Sequence, residues 1–152
     1  MNCADHDLSH IHITECPVQE YSRVLSIWES AGLLYRPKGR DSIQSVEREI
    51  EFGVGRFFIA RLNGEDAGCV LATHDGRKGW INRCAVKPRF RRKGIAAALI
   101  RHAEAYFDKT GISIVTCLIE GWNEDSMSLF RSLGYTRHDD IIYFSKRKNK
   151  NV

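Results

Sequence analysis

Between residues 80 and 119 the sequence reads strand, long helix, strand, with only short turns between, and this unit limits the possible folds more than any other. Residues 80–86 (WINRCAV) have the composition of a strand, and Pro88 blocks its continuation. Residues 94–109 place Ile95, Leu99, Ala103 and Tyr106 on one helical stripe, closed by Gly111. Residues 113–119 (SIVTCLI) are almost continuously apolar, as expected of a central strand buried on both faces. A helical crossover makes the two strands parallel neighbours. In such sheets ligands sit beyond the carboxyl ends of the parallel strands.

The remaining elements read as hairpins and short helices around that unit. Residues 10–16 (HIHITEC) alternate as a first strand. Pro17 opens a helix to about Ala31, and Gly32 ends it. Residues 33–40 form a basic loop, and Asp41 is positioned to cap a second helix to about Phe52. Residues 56–62 and 67–74 flank Asn63-Gly64, the strongest short hairpin signal. A short helix is expected over residues 123–132, and 135–145 read as a last hairpin or strand pair. The order β-α-α-β-β-β-α-β-α-β predicts one α/β domain with a mostly antiparallel sheet. Its core covers about residues 10–146, followed by a basic tail over 146–152.

At 152 residues the chain is long enough to bury a core without disulfides. Its longest apolar run, residues 95–100, is far short of the ~20 residues a membrane span needs. The opening residues MNCADHDLSH have neither the basic start nor the apolar stretch of a signal peptide. Cys3, Cys16, Cys69, Cys84 and Cys117 are odd in number, scattered and without a C-x-x-C pair. The chain therefore reads as reduced and cytoplasmic. Cys3, His6, His10, His12 and Cys16 match no compact zinc spacing, so no metal is expected.

The net charge is only +4, but twelve of the 23 cations fall in three short stretches: 36–40, 87–93 and 146–150. An anionic partner is implied. The middle stretch, KPRFRRK, runs directly into Gly94-Ile95-Ala96-Ala97 at a helix start. Helix N-termini offer unpaired N–H groups and a positive dipole end, which suits phosphate. Gly94 permits close approach of the backbone, Ala96 adds no bulk, and Arg91, Arg92 and Lys93 add charge. Taken alone, this pattern is also that of a solvated basic turn.

With the later run N-E-D-S-M-S-L-F-R-S-L-G-Y from Asn123, the chain resembles the GNAT superfamily of N-acetyltransferases. That family's acyl-CoA motif, Q/R-x-x-G-x-G/A after a strand, is matched by Arg91, Gly94 and Ala96. Its later motif is matched by Asn123, Ser126, Leu129, Gly134 and Tyr135. The resemblance covers about residues 10–146 and implies that the central parallel strands splay apart, with helices on both faces of the sheet. It implies acetyl-CoA as acyl donor, its pantetheine arm along Cys84, Ala85 and Val86. The pyrophosphate would then lie on Arg91, Arg92, Lys93, Gly94, Ile95, Ala96 and Ala97, and Asn123, Ser126 and Phe130 would also line the cofactor. The implied activity is direct transfer of an acetyl group to a primary amine in a ternary complex.

One departure stands out. Where the family often carries a tyrosine that can protonate the departing thiolate, this chain has Phe130. The best-placed carboxylate to deprotonate the acceptor is Glu120, at the end of the 113–119 strand, although a glutamate there is more often an ordinary surface residue. His74-Asp75 and Tyr143 are weaker candidates. Two other readings are a protein that binds acyl-CoA without catalysis and a nucleic-acid-binding module. The latter lacks aromatics interleaved with its cations. Expected partners are an amine or peptide acceptor and at most a second copy of the chain, with no membrane and no nucleic acid.

Overall fold

The computed structural model describes residues 10–152; Cys3 and His6 lie outside them. The elements are β1 (Ile11–Cys16), α1 (Tyr21–Ala31), α2 (Ile43–Glu51), β2 (Gly55–Leu62), β3 (Glu65–His74), β4 (Gly79–Val86), α3 (Ile95–Lys109), β5 (Val115–Cys117) and α4 (Glu124–Ser132). One five-stranded sheet has the spatial order β1-β2-β3-β4-β5. The first three pairings are antiparallel and β4–β5 is parallel. No helix among the described residues is long and apolar enough to cross a membrane.

The alternation along β2 explains why helices cover both faces. Phe57 and Ile59 join Val24, Ile27, Trp28 and Val46 in the α1–α2 layer. Phe58 and Ala60 join Ile95, Leu99, Ala103 and Phe107 beneath α3, with Phe130 of α4 in the same layer. Successive residues of a strand point to opposite faces, so a doubly covered strand must be apolar throughout. Asn63 and Gly64 turn the β2–β3 hairpin with φ of 51° and 81°, the left-handed pair that matches strand twist. Arg23 ties α1 to this hairpin through two bonds to Asp66, Nε–Oδ2 at 2.8 Å and Nη2–Oδ1 at 2.7 Å.

Those bonds from Arg23 hold the Asp66 carboxyl below its ordinary range, against the opposing effect of burial. A carboxyl whose folded pKa is depressed contributes stability above its unfolded pKa of about 4 and loses it as pH falls through the folded value. Asp66→Asn is therefore expected to cost about 1 kcal/mol near neutrality, since the pair is only partly buried. The gap to the parent should narrow as pH falls from the unfolded pKa of about 4 through the depressed folded value, read by urea unfolding across pH. A pH-independent gap would exclude this linkage.

Three expectations are corrected. Ser42, not Asp41, caps α2, its side chain accepting from the Ser45 N–H at 3.3 Å. Strand structure in 113–119 is limited to Val115–Cys117, at the edge of the sheet and only half-buried; its apolar side chains pack beneath α3 from one side. Residues 135–145 form no strand, and Ile141, Ile142, Tyr143 and Phe144 are exposed.

Candidate active site

The site begins with an interruption in β4. Leu71 pairs with Asn82 and Cys69 with Ala85, so Arg83 and Cys84 together oppose Val70 alone. This bulge, with Arg83 at φ 50°, changes which face each following residue takes. Ile81 packs under α3, whereas Ala85, four residues on, packs under α1. In an uninterrupted strand they would share a face. β5 pairs only with Gly79, Trp80 and Ile81, so from Asn82 to Val86 that edge of β4 carries no strand. The two parallel strands part there, and Cys84, Ala85 and Val86 border the opening.

Beyond Val86 the chain makes a short 3-10 turn, Pro88–Phe90, with Phe90 anchored in the core. Arg89 stacks on the Phe90 ring at 4.5 Å and pairs with Glu65. Arg91 reaches back, its Nε donating to Val86 O at 3.1 Å and its Nη2 to Ala31 O at 3.4 Å. Arg92 and Lys93 are exposed and enter no ion pair among the described residues. Gly94 then adopts φ 79°, and no side chain caps α3. Its first backbone bond is Ala98 N–H to Gly94 O at 3.0 Å. The N–H groups of Ile95, Ala96 and Ala97 thus precede the ladder at the positive end of the helix. Charge, backbone donors and a residue without a side chain converge beside the open edge of β4.

Of the other sequence candidates, Glu120 and Asn123 follow the carboxyl end of β5, whereas His74 and Asp75 lie at the opposite end of the parallel pair, in the turn before β4. Asn123 caps α4, its Oδ1 accepting from Ser126 N–H at 3.1 Å. Glu120 is exposed, and its backbone carbonyl accepts from Asn123 N–H at 2.9 Å. Phe130 is buried edge-on against Tyr135, ring centroids 4.9 Å apart, and the Tyr135 hydroxyl donates to Glu104 Oε1 at 2.7 Å. That bond and burial both raise the Tyr135 pKa, burial more. His74 and Asp75 lie in the β3–β4 turn: His74 Nδ1 accepts from Gly76 N–H, and Asp75 Oδ1 from the N–H groups of Arg77 and Lys78. Tyr143 is 68% exposed on a segment without a strand, so the expected last-strand placement is not found.

Cys84 and Cys117 are free thiols on the two parallel strands. Burial pushes Cys84 up to about 12 and Cys117 up to about 11. Both are therefore protonated near neutrality, and neither supplies a thiolate nucleophile.

Sequence reading missed one device. Arg83 leaves the bulge toward α1 and stacks on Trp28 at 4.8 Å. Its Nη1 donates to Leu34 O at 2.8 Å and its Nη2 to Asp41 Oδ2 at 2.7 Å. Asp41 is 7% exposed; its Oδ2 also accepts from Arg36 N–H, and its carbonyl accepts from the Tyr21 hydroxyl at 3.0 Å. The loop between α1 and α2, which carries Arg36, Lys38 and Arg40, is thereby fastened to β4 at the point where the strands part. Only the isolated arginine within an apolar strand signalled this, and local sequence did not name its partner.

Comparison with known proteins gives the family and the fold. Residues 24–135 match the model of the acetyltransferase (GNAT) family, and the chain belongs to that family. Its fold is shared with an aminoglycoside acetyltransferase from an uncultured soil metagenomic sample, solved with sisomicin (TM-score 0.78, 13% identity, 93% of this chain and 98% of that one). A second aminoglycoside acetyltransferase, solved with the bisubstrate analogue CoA-S-monomethyl-acetylneamine, aligns at TM-score 0.75 and 18% identity over 91% and 99%. The ribosomal-protein-S18-alanine N-acetyltransferase from Escherichia coli aligns at 0.69 and 18% over 82% and 76%.

Proposed function

We propose that this protein transfers an acetyl group from acetyl-CoA to a primary amine by direct attack within a ternary complex. The observation that carries this reading is the open edge of β4 running into the uncapped N-terminus of α3. These residues suit the cofactor: N–H groups of Ile95, Ala96 and Ala97 with Arg92 and Lys93 for the pyrophosphate, and free β4 backbone for the pantetheine amides. Structures of related fold with a bisubstrate CoA analogue and with acetyl-CoA support the same choice. Acetyl-CoA supplies the activated acyl carbon and a thiol leaving group.

The chain's own residues have limited work to do. Asn123 uses its amide oxygen on the helix cap, which leaves its NH2 to donate to the arm. Ser126 stands one turn further along α4. Glu120 takes the proton of the acceptor ammonium at the end of β5. Phe130 donates nothing, and none is required: a thiol of pKa about 8.5 departs as thiolate close to neutrality. With Cys84 and Cys117 protonated, a route through an acetylated cysteine is disfavoured, which supports direct attack. Tyr143 has no part in this scheme.

For the acceptor, the exposed Arg36, Lys38 and Arg40 on the fastened loop oppose a polycation such as an aminoglycoside. They favour an amine that also carries a carboxylate or phosphate, or an acidic peptide. The test is a screen of amines, amino acids and peptides for release of free coenzyme A, beside calorimetry with acetyl-CoA. Release with anionic amines and not with sisomicin is expected. Absence of acetyl-CoA binding would overturn the assignment. Binding without release by any amine would leave a protein that holds acyl-CoA without catalysis.

A further inference from the structure

We propose that the loop carrying Arg36, Lys38 and Arg40 and the basic segment 146–150 form one surface, which receives the acidic residues of a peptide whose amine enters the opening beside β4. The role of that peptide as acceptor rests on the acetyl transfer proposed above; the surface itself does not.

The two stretches lie more than 100 positions apart in sequence, yet they meet. The Asn151 carbonyl sits against Gly39, so close that a Cβ on Gly39 would collide with it. Gly39 has no positive φ, so glycine is needed there for space and not for conformation. The segment arrives as a folded turn: Arg147 Nη1 donates to Val152 O at 2.6 Å, and the Asn151 N–H donates to Asn149 Oδ1 at 2.9 Å. Lys38 and Arg40 flank the contact in the loop, and Lys150 adjoins it in the turn.

Crowding like charge is unfavourable unless an anion compensates it. Arg36, Lys38, Arg40, Lys146, Lys148 and Lys150 are all exposed, and none enters an ion pair among the described residues. The carboxylates nearby in sequence are committed elsewhere. Asp41 Oδ2 is held by Arg83 at 2.7 Å, Glu29 Oε1 accepts from the Tyr35 hydroxyl at 2.7 Å, and Asp139 pairs with Arg137. Six such cations on one surface favour a partner with several negative charges over one with a single carboxylate.

The surface starts at the proposed acceptor entrance. Arg83 holds the loop at both ends, by Leu34 O at 2.8 Å and Asp41 Oδ2 at 2.7 Å, where β4 and β5 part. An amine delivered there leaves the rest of its molecule to run out over the loop toward residues 146–150. A peptide amino terminus followed by acidic residues has that form, whereas a small anionic amine ends before the second stretch. Nucleic acid is less suited, because neither 36–40 nor 146–150 contains an aromatic on which a base can stack.

The probe is a peptide of two alanines followed by six glutamates, labelled at its carboxyl end and read by fluorescence anisotropy against the full chain without cofactor. Binding is expected, weakening at least tenfold between about 50 and 500 mM salt as screening grows. Lys146→Glu, Lys148→Glu and Lys150→Glu together should weaken it at least tenfold, at exposed positions that leave the fold intact. Gly39→Val removes no charge but unseats the turn, and should weaken binding at least threefold. Both variant chains should bind acetyl-CoA as the parent does. With acetyl-CoA present, the unlabelled glutamate peptide should release coenzyme A with a kcat/KM at least tenfold above that of its glycine counterpart. No binding of the glutamate peptide, binding indifferent to both variants, or tighter binding of an oligouridylate of equal charge overturns the proposal. Equal release with the glycine peptide does so too. Failure to bind acetyl-CoA would overturn the acetyl transfer alone, since the anisotropy reads the surface independently.

Discussion

Replacing Arg83 with alanine is expected to destabilise the protein by about 3 kcal/mol, the lower end for removing one member of a buried ion pair. The lower end applies because Arg83 retains 15% side-chain exposure. Three terms are lost together. Asp41 is left as a buried carboxylate with only the Arg36 N–H on that oxygen, Leu34 O loses its donor, and the Trp28 face loses its cation. In a chain of this length the loss corresponds to about 6–12 °C in melting temperature. Asp41→Asn should cost less, because the amide oxygen can still accept from Arg36 N–H and from Arg83. Arg83→Lys should fall between, since an ammonium cannot reach Leu34 O and Asp41 in a fixed fork. Differential scanning calorimetry on the three variants reads the order. A shift under 2 °C for Arg83→Ala would show that the pair is not what fastens the loop.

Gly94→Glu is expected to lower acetyl-CoA affinity at least a hundredfold. The substitution places a carboxylate where the proposed pyrophosphate meets the start of α3. Gly94 has φ 79°, so any side chain also strains the backbone by about 1–2 kcal/mol. Gly94→Asn separates the two effects, because asparagine tolerates this conformation and brings no charge. The glutamate variant should remain folded with binding lost, and the asparagine variant should bind within about tenfold of the parent. Equal affinities of the parent and Gly94→Glu in calorimetry would remove the phosphate from this position.

What the sequence disclosed was whatever local periodicity and turn chemistry determine. The Asn63-Gly64 hairpin, the helix opened by Gly94 and the parallel crossover all follow from residues within a few positions of each other. The Asp41 cap was misread because Asp41 and Ser42 are both good caps. The choice between them is made by Arg83, 42 positions away along the chain. The 113–119 run was misjudged for a related reason: continuous apolarity tells of burial but not of which neighbour supplies it. β5 gains its cover from the helix layer beneath α3 and not from a strand on each side. The bulge was invisible because Arg83 and Cys84 occupy ordinary strand residue types, and only pairing with β3 shows that two residues face one. Of the proposed site, the phosphate-binding half was legible as charge beside glycine. The half that holds the acceptor loop was not, since it is built from contacts distant in sequence.

The spatial order of the sheet is also its order of synthesis, each strand lying beside the one made before it. A chain emerging from the ribosome can pair β1 through β4 by successive antiparallel additions, two of them short hairpins, without waiting for later residues. Arg83 and Asp41 are both available at that stage, so the loop can be fastened early. The opening between the parallel strands cannot exist until α3 has formed and β5 has crossed back, more than 30 residues after β4 begins. Acetyl-CoA binding should therefore come late in the growth of the chain, and a chain ending near residue 110 should possess β1–β4 without the site.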